Sequence, residues 1–300
     1  MLKVKNKTFF LLFLLSGHFL SAQVDIPPTI TATGAQAFCK GSPINIVTDF
    51  TIVDPDDTGI DAFFIQISSG YQSNLDRLEL TGSHPNIRSA WSNNEGKLTF
   101  KPLIPGTQIL FSDLEAAVKA IVFTTAATTI ALEKSFSLSI DDANYLQSTD
   151  HFYKFIPSNS ITWDAAKRAA ENSNFYGRQG YLATLTSQEE ADFAGKQAAG
   201  SGWIGGSDAE NEGVWKWVTG PEAGTVFWNG AVNGSTPNYA NWNDNEPNNL
   251  GEEDYAHITD PSIGKSGAWN DLAITGGIGL YQAKGYIVEY GTSTDLPLNI

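Results

Sequence analysis

The chain has 300 residues, a formal charge of −15 from 33 acids and 18 bases, 28 glycines and one cysteine. So acidic a chain is a poor match for nucleic acid or an anionic membrane surface, both of which are held through Lys and Arg. One cysteine excludes an internal disulfide framework and a cysteine-rich zinc site, and the 41% apolar content fits folded protein of about two domains.

Lys3, Lys5 and Lys7 precede an apolar run from Phe9 to Leu20, and Ser21-Ala22 follows as a small-residue cleavage site. Residues 1–22 therefore read as a secretory signal peptide. The competing reading, a membrane anchor, needs about 20 apolar residues, more than this run provides. Removing three lysines and no acids takes the charge from −15 to −18. The mature chain is expected to be secreted or at the cell surface, with no transmembrane segment. Cys39 has no partner in the chain and is expected to be a small buried hydrophobe.

Residues 24–145 read as an all-β sandwich. Short alternating or β-branched runs at 44–53, 62–67, 78–80, 98–100 and 135–140 are separated by Gly, Pro, Asn and Asp. One helix interrupts them over 112–120, with Ser112 as N-cap and Glu115 completing a capping box. Asp54, Asp56, Thr58 and Gly59 start like an EF-hand loop, but its twelfth position is Ile65, so an acidic turn is the better reading. With the Val53-Asp54-Pro55-Asp56 turn, the ELTG and GKLTF strands and the closing SLSIDD, this region resembles the cadherin-like, immunoglobulin-type repeats of bacterial surface proteins. The resemblance implies a spacer or adhesive module.

After a polar linker at 146–150 the pattern changes. Trp163, Ala166 and Ala170 mark one face of a helix, and Gly180 to Leu185 reads as a strand. Ser187 to Glu190 is a capping box opening a second helix that stops near Gly200. Long loops rich in Gly, Asn, Asp and Trp follow, then a last strand, Gly285 to Tyr290. Residues 292–300 read as a tail or linker.

Between Asp208 and Asp271 there are eleven acids and only two bases, Lys216 and Lys265. Carboxylates so crowded repel one another unless salt, water or a hard dication compensates. Asn243, Asn245, Asn248, Asn249 and Asn270 lie among them. Carboxylate with amide oxygen is a calcium donor set, not one for metals that want His or Cys.

Taken in order, TWDAAKRAA, LATLTSQEE, Trp203-Ile204-Gly205-Gly206, Trp215-Lys216-Trp217, Asn241-Trp242, Glu246-Pro247-Asn248, Gly251-Glu252-Glu253-Asp254 and Trp269-Asn270-Asp271 resemble a C-type lectin-like domain. The resemblance spans residues 151–290, within a domain read as 151–291, and implies an α+β fold with two helices and long loops. It implies calcium and sugar binding by Glu246, Asn248, Glu253, Asn270 and Asp271, with Pro247 in a cis peptide shaping the loop. An auxiliary calcium site falls on Asp208, Glu212, Asn249 and Asp254, with Glu253 shared; neutral Asn249 stands where Asp is common. Glu-Pro-Asn resembles the mannose-type selector, implying glycans with equatorial 3- and 4-hydroxyls such as mannose, N-acetylglucosamine or fucose. One shallow site of this kind binds weakly, so a multivalent or larger surface assembly is expected.

The disulfides of secreted animal members would fall on Ala170 with Val288 and Tyr255 with Ile274. All four are apolar or aromatic here, so packing is expected to stand in for both bridges. The five tryptophans of the motifs are expected to be mostly core, and His257 packed rather than catalytic. Gly264-Lys265-Ser266 lacks the first glycine of a P-loop, and no Gly-x-Ser-x-Gly or His-Glu-x-x-His occurs. A binding protein is therefore expected, not an enzyme. The alternatives are a protein-interaction module of the same fold, whose binding survives chelation, and a glycosidase, which turns over.

Overall fold

The computed structural model describes residues 28–39, 41–128, 133–140, 142–146, 148–265, 267–291 and 298–299. The expected signal peptide and most of the expected tail lie outside them. Among the described residues no helix is long and apolar enough to cross a membrane.

The N-terminal region is β-rich. Strands Ser135–Ser139, Phe63–Ser69, Lys97–Pro102 and Ile87–Ser92 lie side by side in one sheet. A second sheet joins Ile44–Asn45, Ile121–Thr125 and Asp76–Leu80, and Thr29–Thr33 pairs with Asp49–Val53. Their alternating inward residues, among them Phe50, Ile52, Ile65, Leu78, Phe100, Phe123 and Leu138, share one core. The predicted run 44–53 is thus two strands, bent apart at 46–48. Asp54 closes the acidic turn, its Oδ1 accepting from the N–H groups of Asp56 and Asp57 at 3.0 and 2.9 Å.

Helix α1 is Phe111–Lys119, and its start differs from the sequence reading. Strand Ile109–Leu110 runs straight into it, so Leu110 occupies the N-cap with no side-chain cap and Ser112 lies inside the first turn. Glu115 does not close a capping box. Its Oε1 instead accepts from Ile52 N–H at 3.1 Å, tying the helix to the strand beneath it. Cys39 is exposed rather than buried.

The C-terminal region is built around strand Gly285–Tyr290. This strand pairs antiparallel with His151–Pro157 and Arg178–Leu182, and parallel with Gly202–Ser207. The expected linker is a hairpin turn instead: Asn144–Leu146 pairs with His151–Pro157 and belongs to the same sheet. Helix α2, Trp163–Glu171, buries Trp163, Ala166 and Ala170, and Thr162 Oγ1 accepts from Ala165 N–H. Helix α3 is Gln188–Gln197; Ser187 caps Glu190 N–H at 3.2 Å and Glu190 reaches back to Thr186 N–H at 2.9 Å.

Trp203, Trp215, Trp217 and Trp269 are fully buried, which places them in the core as expected, while Trp242 is half-buried against Trp215 and Trp269. His257 is buried, bonded to Ser201 and Ile258, and burial pushes its pKa down to about 4. Ala170 and Val288 share a packed cluster where a bridge would stand. The other pair differs. Tyr255 packs on Trp163, but Ile274 is 38% exposed, and its carbonyl accepts from Trp163 N–H at 2.9 Å.

Candidate functional site

Two antiparallel strands carry the centre of the site. Tyr255–Ile258 pairs with Trp269–Leu272 in the register His257↔Asn270 and Ala256↔Asp271. Loop 241–250 is held against the second strand: Trp269 N–H donates to Asn241 O at 2.8 Å, and Asn243 N–H to Trp269 O at 2.7 Å. The loop turns at Asn245 and Asn249, both left-handed (φ 68° and 47°), a conformation Asn tolerates better than most residues. Between them the Glu246–Pro247 peptide is cis.

The fully buried Asp271 fastens this loop. Its two oxygens accept from the N–H groups of Asn248 (3.1 Å) and Asn249 (2.8 Å). Asn248 is exposed, and its side-chain amide donates to the half-buried Glu246 carboxylate. Glu253 accepts from Leu250 N–H at 2.9 Å and donates its own N–H to Asn249 Oδ1. Burial, and then the Asp271 charge, pushes the Glu246 pKa up to about 8. Burial also raises Asp271 and Glu253 above the usual carboxylate range.

Beside this lies the second cluster. Asp208, Glu212 and Asp254 bring one oxygen each within 4.8 Å of one another. Asp208 is buried; one oxygen accepts from Gly213 N–H at 2.9 Å. Burial pushes its pKa up to about 7, with Glu212, Asp254 and Asp271 adding repulsion against the Gly213 N–H. A gap of about 20 Å³ lies among Asp208, Glu212, Asn249, Pro247 and Asp271, about the room one water needs.

The donor set fits a hard cation. Buried polar atoms are nearly always hydrogen-bonded, and an exception calls for a cause. Asp208 Oδ1 and Asn270 Oδ1 are both buried without a partner. Asp208 lies among the charges of Glu212, Asp254 and Asp271, so a cation satisfies its free oxygen where another acceptor would not.

All ten residues named from sequence lie in or beside these two clusters. Asn249 differs in its part: its amide donates to Glu212 at 2.6 Å and accepts from Glu253, so it braces the loop. Sequence reading passed over Gly213, whose left-handed turn (φ 74°) aims an N–H at Asp208. The signal for it was a Gly five residues after the Asp. Also unforeseen is a buried pair of acids under the sheet, Glu190 and Glu289, which share the Tyr153 hydroxyl at 2.7 and 3.3 Å.

Comparison with known proteins gives the family of this region. Residues 159–273 match the family model "Lectin C-type domain", and this part of the chain is a C-type lectin domain. The chain is 35% identical to halomucin of Haloquadratum walsbyi over 289 residues, 92% of this chain and 3% of that one. It is 36% identical to the CD209 antigen of Symphalangus syndactylus over 93 residues, 30% of this chain and 20% of that one. Among solved structures it is similar to the mouse scavenger receptor C-type lectin carbohydrate-recognition domain. That likeness has 26% identity and a TM-score of 0.35, covering 49% of this chain and 93% of the other. The chain thus spans a small part of the first two relatives.

Proposed function

We propose, from the lectin domain at 159–273 and the two acid clusters within it, that this protein binds glycans in a calcium-dependent way at the cell surface or outside the cell. The observation that supports this most is the pair of buried oxygens, Asp208 Oδ1 and Asn270 Oδ1, with no hydrogen-bond partner. Glu246, Asn248, Glu253, Asn270 and Asp271 would hold the sugar-binding ion, and Asp208, Glu212, Asn249 and Asp254 the auxiliary one. Calcium, when bound, supplies coordination positions that two neighbouring sugar hydroxyls can fill.

The chain's own residues supply the rest. Asn248 presents an N–H donor beside the Glu246 acceptor. A sugar hydroxyl accepts from the first and donates to the second, replacing the bond the two side chains make with each other. Asp271 keeps the loop in place by its bonds to two backbone N–H groups. The Glu-Pro-Asn order selects mannose-type hydroxyl geometry, and the β-rich N-terminal domain acts as a cadherin-like spacer.

The test is calorimetric titration of calcium into the chelator-stripped protein, followed by mannose and by galactose. Calcium uptake followed by heat from mannose alone is the expected result. Sugar binding that survives chelation, or no calcium uptake, overturns the proposal. Calcium uptake without sugar heat overturns the glycan part and leaves a protein-interaction module.

A further inference from the structure

Strand Ser135–Ser139 lies beside Phe63–Ser69 on one side. Its other side would be an open edge, a row of unpaired backbone groups that folded proteins protect. Residues 298–299 cover it, in the antiparallel register Leu138↔Leu298 and Ser137↔Asn299. These two residues follow the lectin domain in sequence, yet they lie in the sheet of the domain before it.

The path between the two strands is consistent with this pairing. The lectin domain begins with Asn144–Leu146 and ends with Gly285–Tyr290, and both flank the same strand, His151–Pro157. Tyr145 and Tyr290 stand opposite the same residue, Phe152. Two strand spacings separate them, roughly 10 Å. A domain whose ends lie this close can be placed in a loop of another without distorting either.

The junction is also bonded side to side. Tyr145 N–H donates to the buried Gln66 Oε1 at 2.8 Å, Asn144 Nδ2 to Glu95 Oε1 at 3.1 Å, and Ile140 N–H to the Tyr176 hydroxyl at 2.8 Å. Gln66 and Glu95 belong to the β-rich domain and Tyr176 to the lectin domain, so the bonds run in both directions.

We infer that the lectin domain is an insertion in the β-rich domain, threaded between strand Ser135–Ser139 and the strand at Leu298–Asn299 that completes its sheet. The lectin domain is then tethered at both ends, at Tyr145 and Tyr290 roughly 10 Å apart, where one tether would leave it free to swivel. The site then points in a fixed direction from the β-rich domain. Tension along the chain enters and leaves through that domain and bypasses the lectin.

Cysteine trapping in the full-length chain, in a Cys39→Ser background, tests this. Two pairs are made: Leu138→Cys with Leu298→Cys, and Ser137→Cys with Asn299→Cys. One of two adjacent antiparallel pairs occupies the closer, non-hydrogen-bonded position, where a disulfide fits. Ser92→Cys with Leu298→Cys, on the far edge of the same sheet, is the control. The expected result is that at least one neighbouring pair loses its free thiols on mild oxidation while the chain stays monomeric and the control pair stays reduced. Near-UV circular dichroism of the cross-linked protein, read against the unmodified chain, reports that the buried tryptophans of the lectin domain are still packed. Free thiols in both neighbouring pairs, a disulfide-linked dimer, or equal cross-linking of the control overturns the inference.

Discussion

Calcium binding should displace protons, and the amount follows from the site. Glu246 and Asp208 have pKa values pushed up to about 8 and about 7. At pH 7 these acids are therefore roughly nine-tenths and one-half protonated in the metal-free protein. A carboxylate must ionise to ligate, so filling both sites releases about one and a half protons at pH 7. Treated independently, the site containing Glu246 tightens about ninefold and that containing Asp208 about fivefold between pH 6 and 7, and both level off above pH 9. The sign for stability follows from the same shifts. Both acids are raised above their unfolded values, so in chelator their contribution is whole below pH 4 and is lost as pH rises through 7 to 8. Calcium removes that loss, so the gap in melting temperature between calcium and chelator widens from pH 5 to pH 8. Calorimetry in two buffers of different ionisation enthalpy counts the protons. Proton-free binding at pH 7, or a gap that narrows with pH, refutes the assignment of these acids as ligands.

Four other expectations follow from particular contacts. Glu246→Gln with Asn248→Asp should move sugar preference from mannose toward galactose, read by competition on immobilised sugars; unchanged preference removes the selector role. Asp271→Ala takes away the acceptor for two backbone N–H groups, so calcium affinity should fall at least a hundredfold by titration, beyond the 10- to 100-fold typical of supporting residues. Glu115→Ala should cost the β-rich domain about 1–2 kcal/mol in denaturant unfolding by orphaning Ile52 N–H, with calcium binding unchanged. Trp217→Ala should cost about 3–5 kcal/mol, since the ring is buried against Phe227 and Trp269.

What could be read from sequence was what repeats or has a local chemical rule. The spacing of Trp163, Ala166 and Ala170 gave helix α2 and its buried face, and Ser187 with Glu190 gave the start of α3. The Asn and acid clusters pointed to the loops that the structure brings together around Asp208 and Asp271. Three readings failed for want of a local signal. Asn144–Leu146 is three residues long, too short for any periodicity, so its first two residues read as part of the domain before it and its last as linker. Ser112 has the chemistry of a cap but lies two residues too deep, because strand Ile109–Leu110 sets where the helix begins. Ile274 is apolar, yet its loop leaves the side chain in solvent, and nothing at that position in sequence tells the two outcomes apart.

The two lysines of the acidic region leave the carboxylates of the site without a neutralising side chain. Lys216 pairs with Glu210 and Lys265 with Asp244, each at 2.7 Å, and both of these acids are exposed. Among the described residues no Lys or Arg reaches Asp208, Glu212, Glu246, Glu253, Asp254 or Asp271 within salt-bridge distance. Backbone N–H groups of residues 213, 248, 249 and 250 satisfy some of their oxygens, but N–H groups carry no net charge to cancel the repulsion. Protons, screening salt or a bound cation can cancel it. Protons are plentiful below pH 6 and scarce above 8, so the folded site exchanges protons for a cation as pH rises. On the proposed reading, chelation should therefore abolish sugar binding while leaving the loop held by the Asp271 bonds to the N–H groups of Asn248 and Asn249, and sugar binding that persists in chelator would refute it.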